Sequence, residues 1–83
     1  MEKEHNLVLE TPPRKKQAVK IFVNGEIFVD QLLPFPRTKL TLKYRTNRDK
    51  DLITVKNCGT KRMRLNKQYL EPGKIIEYWV PAK

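Results

Sequence analysis

Cations are the residues of this chain whose number and spacing suggest chemistry. In "RTKLTLKYRT" (residues 37–46), Lys39, Lys43 and Arg45 alternate with Leu40, Leu42 and Tyr44. A strand turns alternate residues to opposite faces, so one face of this segment is apolar and the other cationic. "KRMRL" (residues 61–65) repeats the arrangement, with Arg62 and Arg64 set against Met63 and Leu65. Like charges spaced in this way repel one another, and folding alone gains nothing from them. Their chemistry is the binding of anions: lysine acts as a point charge, arginine as a fork of donors matched to phosphate or carboxylate. Lys39, Lys43, Arg45, Lys61, Arg62 and Arg64 are therefore the candidate binding residues. Their ligand is expected to be the phosphate backbone of a nucleic acid or an acidic surface on a protein partner.

The charge totals point the same way. The 83 residues carry 18 Lys and Arg against 9 Asp and Glu, a formal charge of +9. Residues 1–36 are balanced at five against five, and residues 68–83 at two against two. Residues 37–67 hold eleven cations against only Asp49 and Asp51, so the entire excess lies in this window. Concentration of that kind suggests a polyanion partner more than general solubility does.

Other chemistry is sparse. The chain has no serine, one histidine and one cysteine. His5 stands in a charged N-terminal stretch, where solvation is the expectation. Cys58 sits in a turn between Asn57 and Gly59, with no histidine placed in sequence to act with it. A single cysteine excludes an internal disulfide framework and a cysteine-built zinc site. Asp49 and Asp51 are interleaved with Arg48 and Lys50 and read as a solvated turn, not a metal site. Gly25, Gly59 and Gly73 are isolated turn glycines and make no phosphate-cradling loop. A protein without enzymatic activity, cofactor or metal is the expectation.

The elements that must position the cations read as strands. "MEKEHNLVLETPPRKKQ" (residues 1–17) is charged and broken by Pro12-Pro13, and reads as a flexible arm in which "NLVLE" could add an edge strand. Residues 18–83 read as one β domain. "AVKIFVNGEIFVD" is a hairpin turning at Asn24-Gly25. A three-residue loop pairs Ile21 with Ile27 and Val19 with Val29, collecting the β-branched residues on one face and leaving Phe22 and Phe28 on the other. The prolines of "LLPFPR" suggest an extended crossover before the cationic strand. "LITVK" is a strand, and Pro72-Gly73 suits a type II turn. "KIIEYWVP" is apolar on both faces apart from Glu77, which places it centrally with Trp79 in the core. No window of ten residues or more carries a helical period with caps. The fold class is all-β: a single small sandwich or barrel of about six to eight short strands.

From Thr54 onward, "TVKNCGTKRMRLNKQYLEPGKIIEYWVP" resembles the closing strands of immunoglobulin-like modules common in prokaryotic and viral proteins. In those, a strand enters an Asn-x-Gly turn, and a Leu-x-Pro-Gly turn opens the last strand. Asn57, Gly59, Leu70, Pro72 and Gly73 stand in these places. The resemblance covers about a third of the chain and implies a β-sandwich of immunoglobulin-like topology. It also implies an interaction module, such as an adaptor, a virion decoration or a blocker of host machinery. The paired cysteines and tryptophan of antibody domains are absent, and Arg62 and Arg64 stand where such modules carry neutral residues.

Taken together, the residues predict a non-enzymatic nucleic-acid-binding protein that contacts phosphates through a basic sheet face. The alternative is an immunoglobulin-like module for an acidic protein surface. Exposed edge strands would allow a homodimer. No apolar run approaches the roughly 20 residues that span a bilayer. A cytoplasmic location is the expectation, and the host cytoplasm if the protein is viral.

Overall fold

"EKEHNLVLE" hides a period of two. Its even-numbered residues Glu2, Glu4, Asn6, Val8 and Glu10 face one way, and Lys3, His5, Leu7 and Leu9 the other. The computed structural model describes residues 2–11, 17–33 and 37–81, and of residues 32 and 33 the backbone alone. In it, Glu2–Glu10 form strand β1, with Leu7 and Leu9 fully buried. The expected arm is thus corrected over this stretch: β1 is an interior strand, paired with a neighbour on each side. Burial of the two leucines, together with the hydrogen bonds to a strand on each side, offsets the cost of ordering the segment. Pro12-Pro13 and the basic residues after them lie outside the described residues.

Seven further strands follow among the described residues: β2 (Gln17–Val23), β3 (Glu26–Leu33), β4 (Arg37–Arg45), β5 (Lys50–Asn57), β6 (Met63–Leu65), β7 (Gln68–Leu70) and β8 (Ile75–Pro81). They form two antiparallel sheets of four strands, ordered β4-β1-β6-β7 and β3-β2-β5-β8. Leu7, Leu9, Leu42, Met63, Leu65 and Leu70 from the first sheet meet Val19, Ile21, Val23, Ile53 and Val55 from the second in one buried core. Alternation of apolar and polar residues along each strand puts one face of each sheet into this core and the other outside. The all-β class expected from turn spacing is the class observed.

Turn chemistry sets the connections, with one departure. Asn24 (φ 52°) and Gly25 (φ 86°) form a two-residue hairpin turn in which Val23 faces Glu26. Two positive φ values match the right-handed twist of the flanking strands. The expected three-residue loop is not formed. Instead a β-bulge shifts the register, so that Phe22 pairs with Ile27 and Ile21 with Val29. The extra residue, Phe28, brings its ring edge-on to Tyr44 at 6.1 Å, not to the side of Phe22. Asn66 (φ 47°) and Lys67 (φ 72°) turn β6 into β7. Gly73 (φ 77°) follows Pro72 in a turn closed by the Lys74 amide donating to the Glu71 carbonyl at 3.1 Å, as expected for Pro-Gly.

β8 is corrected too. It is an edge strand, pairing only with β5 among the described residues. Ile76, Tyr78 and Val80 pack on the core, while Trp79 is 60% exposed on the outer face. Pro81, which has no amide hydrogen to donate, suits an edge. The crossover expected at "LLPFPR" falls on residues 34–36, outside the described residues.

Candidate functional site

β4 carries the alternation seen in the sequence. Leu40, Leu42 and Tyr44 face the core, and Arg37, Lys39, Thr41, Lys43 and Arg45 face solvent. Among the described residues β4 is an edge of its sheet, and its one neighbour is β1. The register sets Glu2 across from Arg45, Glu4 from Lys43 and Glu10 from Arg37. Asn6 lies across from Thr41, whose hydroxyl donates to the Asn6 Oδ1 at 2.8 Å. The cationic row thus stands beside an acidic one that the sequence reading took for part of an arm. Lys43 and Glu4 approach to 3.7 Å with both side chains more than half exposed, a pair worth no more than about 1 kcal/mol. Lys39 faces Val8, and neither Arg37, Lys39 nor Arg45 has an ion-pair partner among the described residues.

Arg62 and Arg64 lie on the same outer face but not beside β4, because β1 runs between β4 and β6. Two strand spacings separate the groups by about 10 Å. The basic sheet face expected from the sequence is therefore two clusters with Glu2, Glu4 and Glu10 between them. Arg64 Nη2 donates to Glu10 Oε1 at 3.0 Å, and Arg62 pairs with Glu71 at 3.8 Å. Both guanidinium groups approach the Tyr69 ring, Arg62 at 4.1 Å from its centre and Arg64 at 5.8 Å. Tyr69 is itself 59% exposed, which makes a small cationic and aromatic surface at the β7 edge. Lys61 is exposed beside it, and its backbone carbonyl accepts from Gln17 Nε2 and Asn57 Nδ2.

The end of β4, the loop after it and the β2–β3 turn open onto a cleft of about 590 Å³, lined by Tyr44, Arg45, Arg48, Phe28 and Glu26 among others. Beneath it, Lys3 Nζ donates to Asp51 Oδ2 at 2.6 Å with both groups buried. Asn24 Nδ2 and Thr46 Oγ1 donate to the other Asp51 oxygen at 2.9 and 2.7 Å. Burial pushes the Asp51 carboxyl up, but the hydrogen bonds from Lys3, Thr46 and Asn24 and the Lys3 charge outweigh it and hold the group below the usual carboxylate range. Asp51 is no solvated turn residue, as the sequence had suggested.

His5 also departs from expectation. Its Nε2 lies 2.6 Å from the Tyr78 hydroxyl, a contact that links the two sheets. Burial lowers the imidazole pKa. Burial and the neighbouring Tyr44 push the Tyr78 phenol up to about 12. Which of the two groups donates is set by the imidazole tautomer. Burial, followed by the Asp51 charge, raises Tyr44 as well. Its hydroxyl finds no hydrogen-bond partner among the described residues.

Cys58 is half-buried at the end of β5, its amide donating to the Ala18 carbonyl at 3.0 Å. Among the described residues no three His, Cys, Asp or Glu side chains converge to hold a metal ion, and no helix is long and apolar enough to cross a membrane. Three features escaped sequence reasoning: the acids of β1, the packing of Arg62 and Arg64 on Tyr69, and the exposed Trp79. The first had a signal, since "E-x-E-x-N-x-V-x-E" alternates in step with the cationic strand. No protein-family model, curated protein or solved structure matches this chain.

Proposed function

We propose that this protein binds nucleic acid without catalysing a reaction, through phosphate contacts made by β4 and continued by the Arg62–Tyr69–Arg64 cluster. One observation carries the reading. Arg37, Lys39, Lys43 and Arg45 stand exposed along one edge strand, and three of the four lack an ion partner among the described residues. Alternate positions on a strand are about 6.8 Å apart, a spacing that suits successive phosphates of an extended backbone. Binding of this type is driven by counterion release and reads backbone more than base. The protein is expected to act in the cytoplasm, where nucleic acid is at hand.

Fluorescence anisotropy with single- and double-stranded DNA and RNA at two salt concentrations tests it. Lys39 and Arg45 are the informative positions, because Arg62 and Arg64 already hold acids and their reversal would disturb those pairs. For duplex DNA, Lys39→Glu with Arg45→Glu should flatten the log–log salt slope by roughly 1.8 and weaken all sequences alike. Absence of wild-type binding at low salt would reject the reading.

A second reading has its own support. β1 already lays an extended acidic segment against one side of β4, and the other side of β4 is a sheet edge among the described residues. An acidic strand from a protein partner could add there and repeat the contact. This is the immunoglobulin-like interaction module, and nucleic acid would then fail to compete with the partner.

A further inference from the structure

The two outer faces of the sandwich differ in kind. On the face of β3-β2-β5-β8, the outward residues include Phe22, Ile27, Leu52, Ile75 and Trp79. Ile27 is 52% exposed, Ile75 50% and Trp79 60%. The solvent face of an antiparallel sheet is ordinarily polar, so a run of large apolar side chains there marks a surface that is covered in the working protein. Four of them are also contiguous, while Ile75 stands apart, across from Lys56 and beyond Glu77. Ile27 lies across from Phe22, Trp79 lies across from Leu52, and Phe22 and Leu52 sit two residues out of step on neighbouring strands. The bulge in β3 contributes, because it leaves Ile27 outside while Val29 is packed on the core.

We propose that this face is a self-association surface, on which a second copy of the chain packs sheet against sheet. Charge argues for a copy over other occupants. The outward charges are Lys20, Lys50 and Lys56 against Asp30 and Glu77, one unit of net charge on a chain of +9. This is a face on which two strongly basic molecules can meet. It offers little field to hold a polyanion or an acidic partner, for which the opposite face is built. Sheets pack about 10 Å apart, so in such a pair the two cationic faces point outward about 30 Å from one another. That is well beyond the Debye length of about 8 Å at physiological salt, and their repulsion is screened.

Size agrees. The molecule measures 39 × 20 × 19 Å, and its broad side is close to the roughly 800 Å² per partner of a standard interface. Pairing through edges is the less suitable route: β4 carries a row of cations and β8 ends on Pro81, both of which blunt strand addition. A two-fold pair built on the faces leaves the β4 edges free, so the inference does not depend on the ligand that β4 binds.

Trp79 is the only tryptophan, so its emission reports the state of this face directly. Sedimentation equilibrium over a wide concentration range, in about 1 M salt where the Debye length is about 3 Å, is expected to show a monomer–dimer equilibrium. Trp79 emission should shift to the blue in step with dimer formation. Ile27→Glu keeps the reporter and places the charge in the contact twice. It should raise the dissociation constant at least about a hundredfold while circular dichroism remains that of the folded protein. Trp79→Lys should do the same by sedimentation alone. A monomer at every concentration would overturn the proposal. So would undiminished dimerisation of Ile27→Glu, which would put the contact at an edge, or a Trp79 shift produced by an oligonucleotide on the monomer, which would give the face to nucleic acid.

Discussion

Replacing Asp51 with alanine should be among the costliest exchanges in this chain. The carboxylate is fully buried and accepts from three side chains: Lys3 at 2.6 Å, Thr46 at 2.7 Å and Asn24 at 2.9 Å. Those donors come from β1, the β4–β5 loop and the β2–β3 turn, so one side chain ties together three segments at one end of the sandwich. Truncation leaves the buried Lys3 ammonium without a counter-charge, and breaking such a pair from one side costs about 3–5 kcal/mol. A domain of this length has a total stability of about 4–12 kcal/mol at typical values per residue. Asp51→Ala should therefore unfold at a urea concentration lower by roughly 2 M or more, or not fold at all. Replacing both partners, with Lys3→Met and Asp51→Leu, removes the stranded charge and should restore at least half of the loss.

Far-UV circular dichroism in urea is the appropriate assay, because the exposed Trp79 reports poorly on unfolding of a monomer. A pH series adds an independent check. The folded Asp51 pKa lies below its unfolded value, so the stabilisation is fully present above about pH 3.9 and is lost as pH falls through the folded value. Asp51→Asn should lack this part of the acid dependence. A loss below about 1 kcal/mol for Asp51→Ala would refute the reasoning, as would a double variant no more stable than the single one.

Three further outcomes follow from particular contacts. Gly59→Ala should destabilise by about 2–4 kcal/mol in urea titrations, because its methyl group would overlap the Gln17 side chain, which donates to Asn57 and the Lys61 carbonyl. Trp79→Ala, measured on dilute protein, should change stability by less than about 1 kcal/mol, whereas the core position expected from the sequence would make it about 3–5. For the His5–Tyr78 contact, NMR titration should place the imidazole midpoint below 6.5, and ultraviolet titration should find Tyr78 ionising near 12. His5 then contributes stability above pH 6.5 that is lost on acidification through its folded pKa. Tyr78 contributes below pH 10, and that contribution is lost on raising pH through about 12.

The cationic row shows where reading residues in order succeeds and where it stops. Lys39, Lys43 and Arg45 were legible because a strand's period is local, and the leucines between them named the buried face. The pairing of Lys43 was not, since Glu4 meets it across 39 positions of chain. β1 itself was obscured because its inward row begins with Lys3 and His5. Both are polar residues that belong inside only when Asp51 and Tyr78 are waiting there. The closing strand was ambiguous for another reason. "IIEYWVP" offers apolar side chains to both faces, and of its own residues only Pro81, at its end, favours an edge over a central strand.

What the sequence by itself determined is therefore everything that depends on near neighbours. It specified strands in place of helices, turns at Asn24-Gly25 and Pro72-Gly73, the inward set Leu40, Leu42 and Tyr44, and the outward cations. Tertiary structure alone decided which strand lies beside which. On that depended the split of the basic residues into two clusters, the acidic row between them, the burial of Lys3 and Asp51, and the exposure of Trp79. The physical reason is that backbone conformation and turn type are set over a few residues. The charge and polarity of a sheet face are summed over strands far apart in the chain, and their adjacency is chosen by the core behind them.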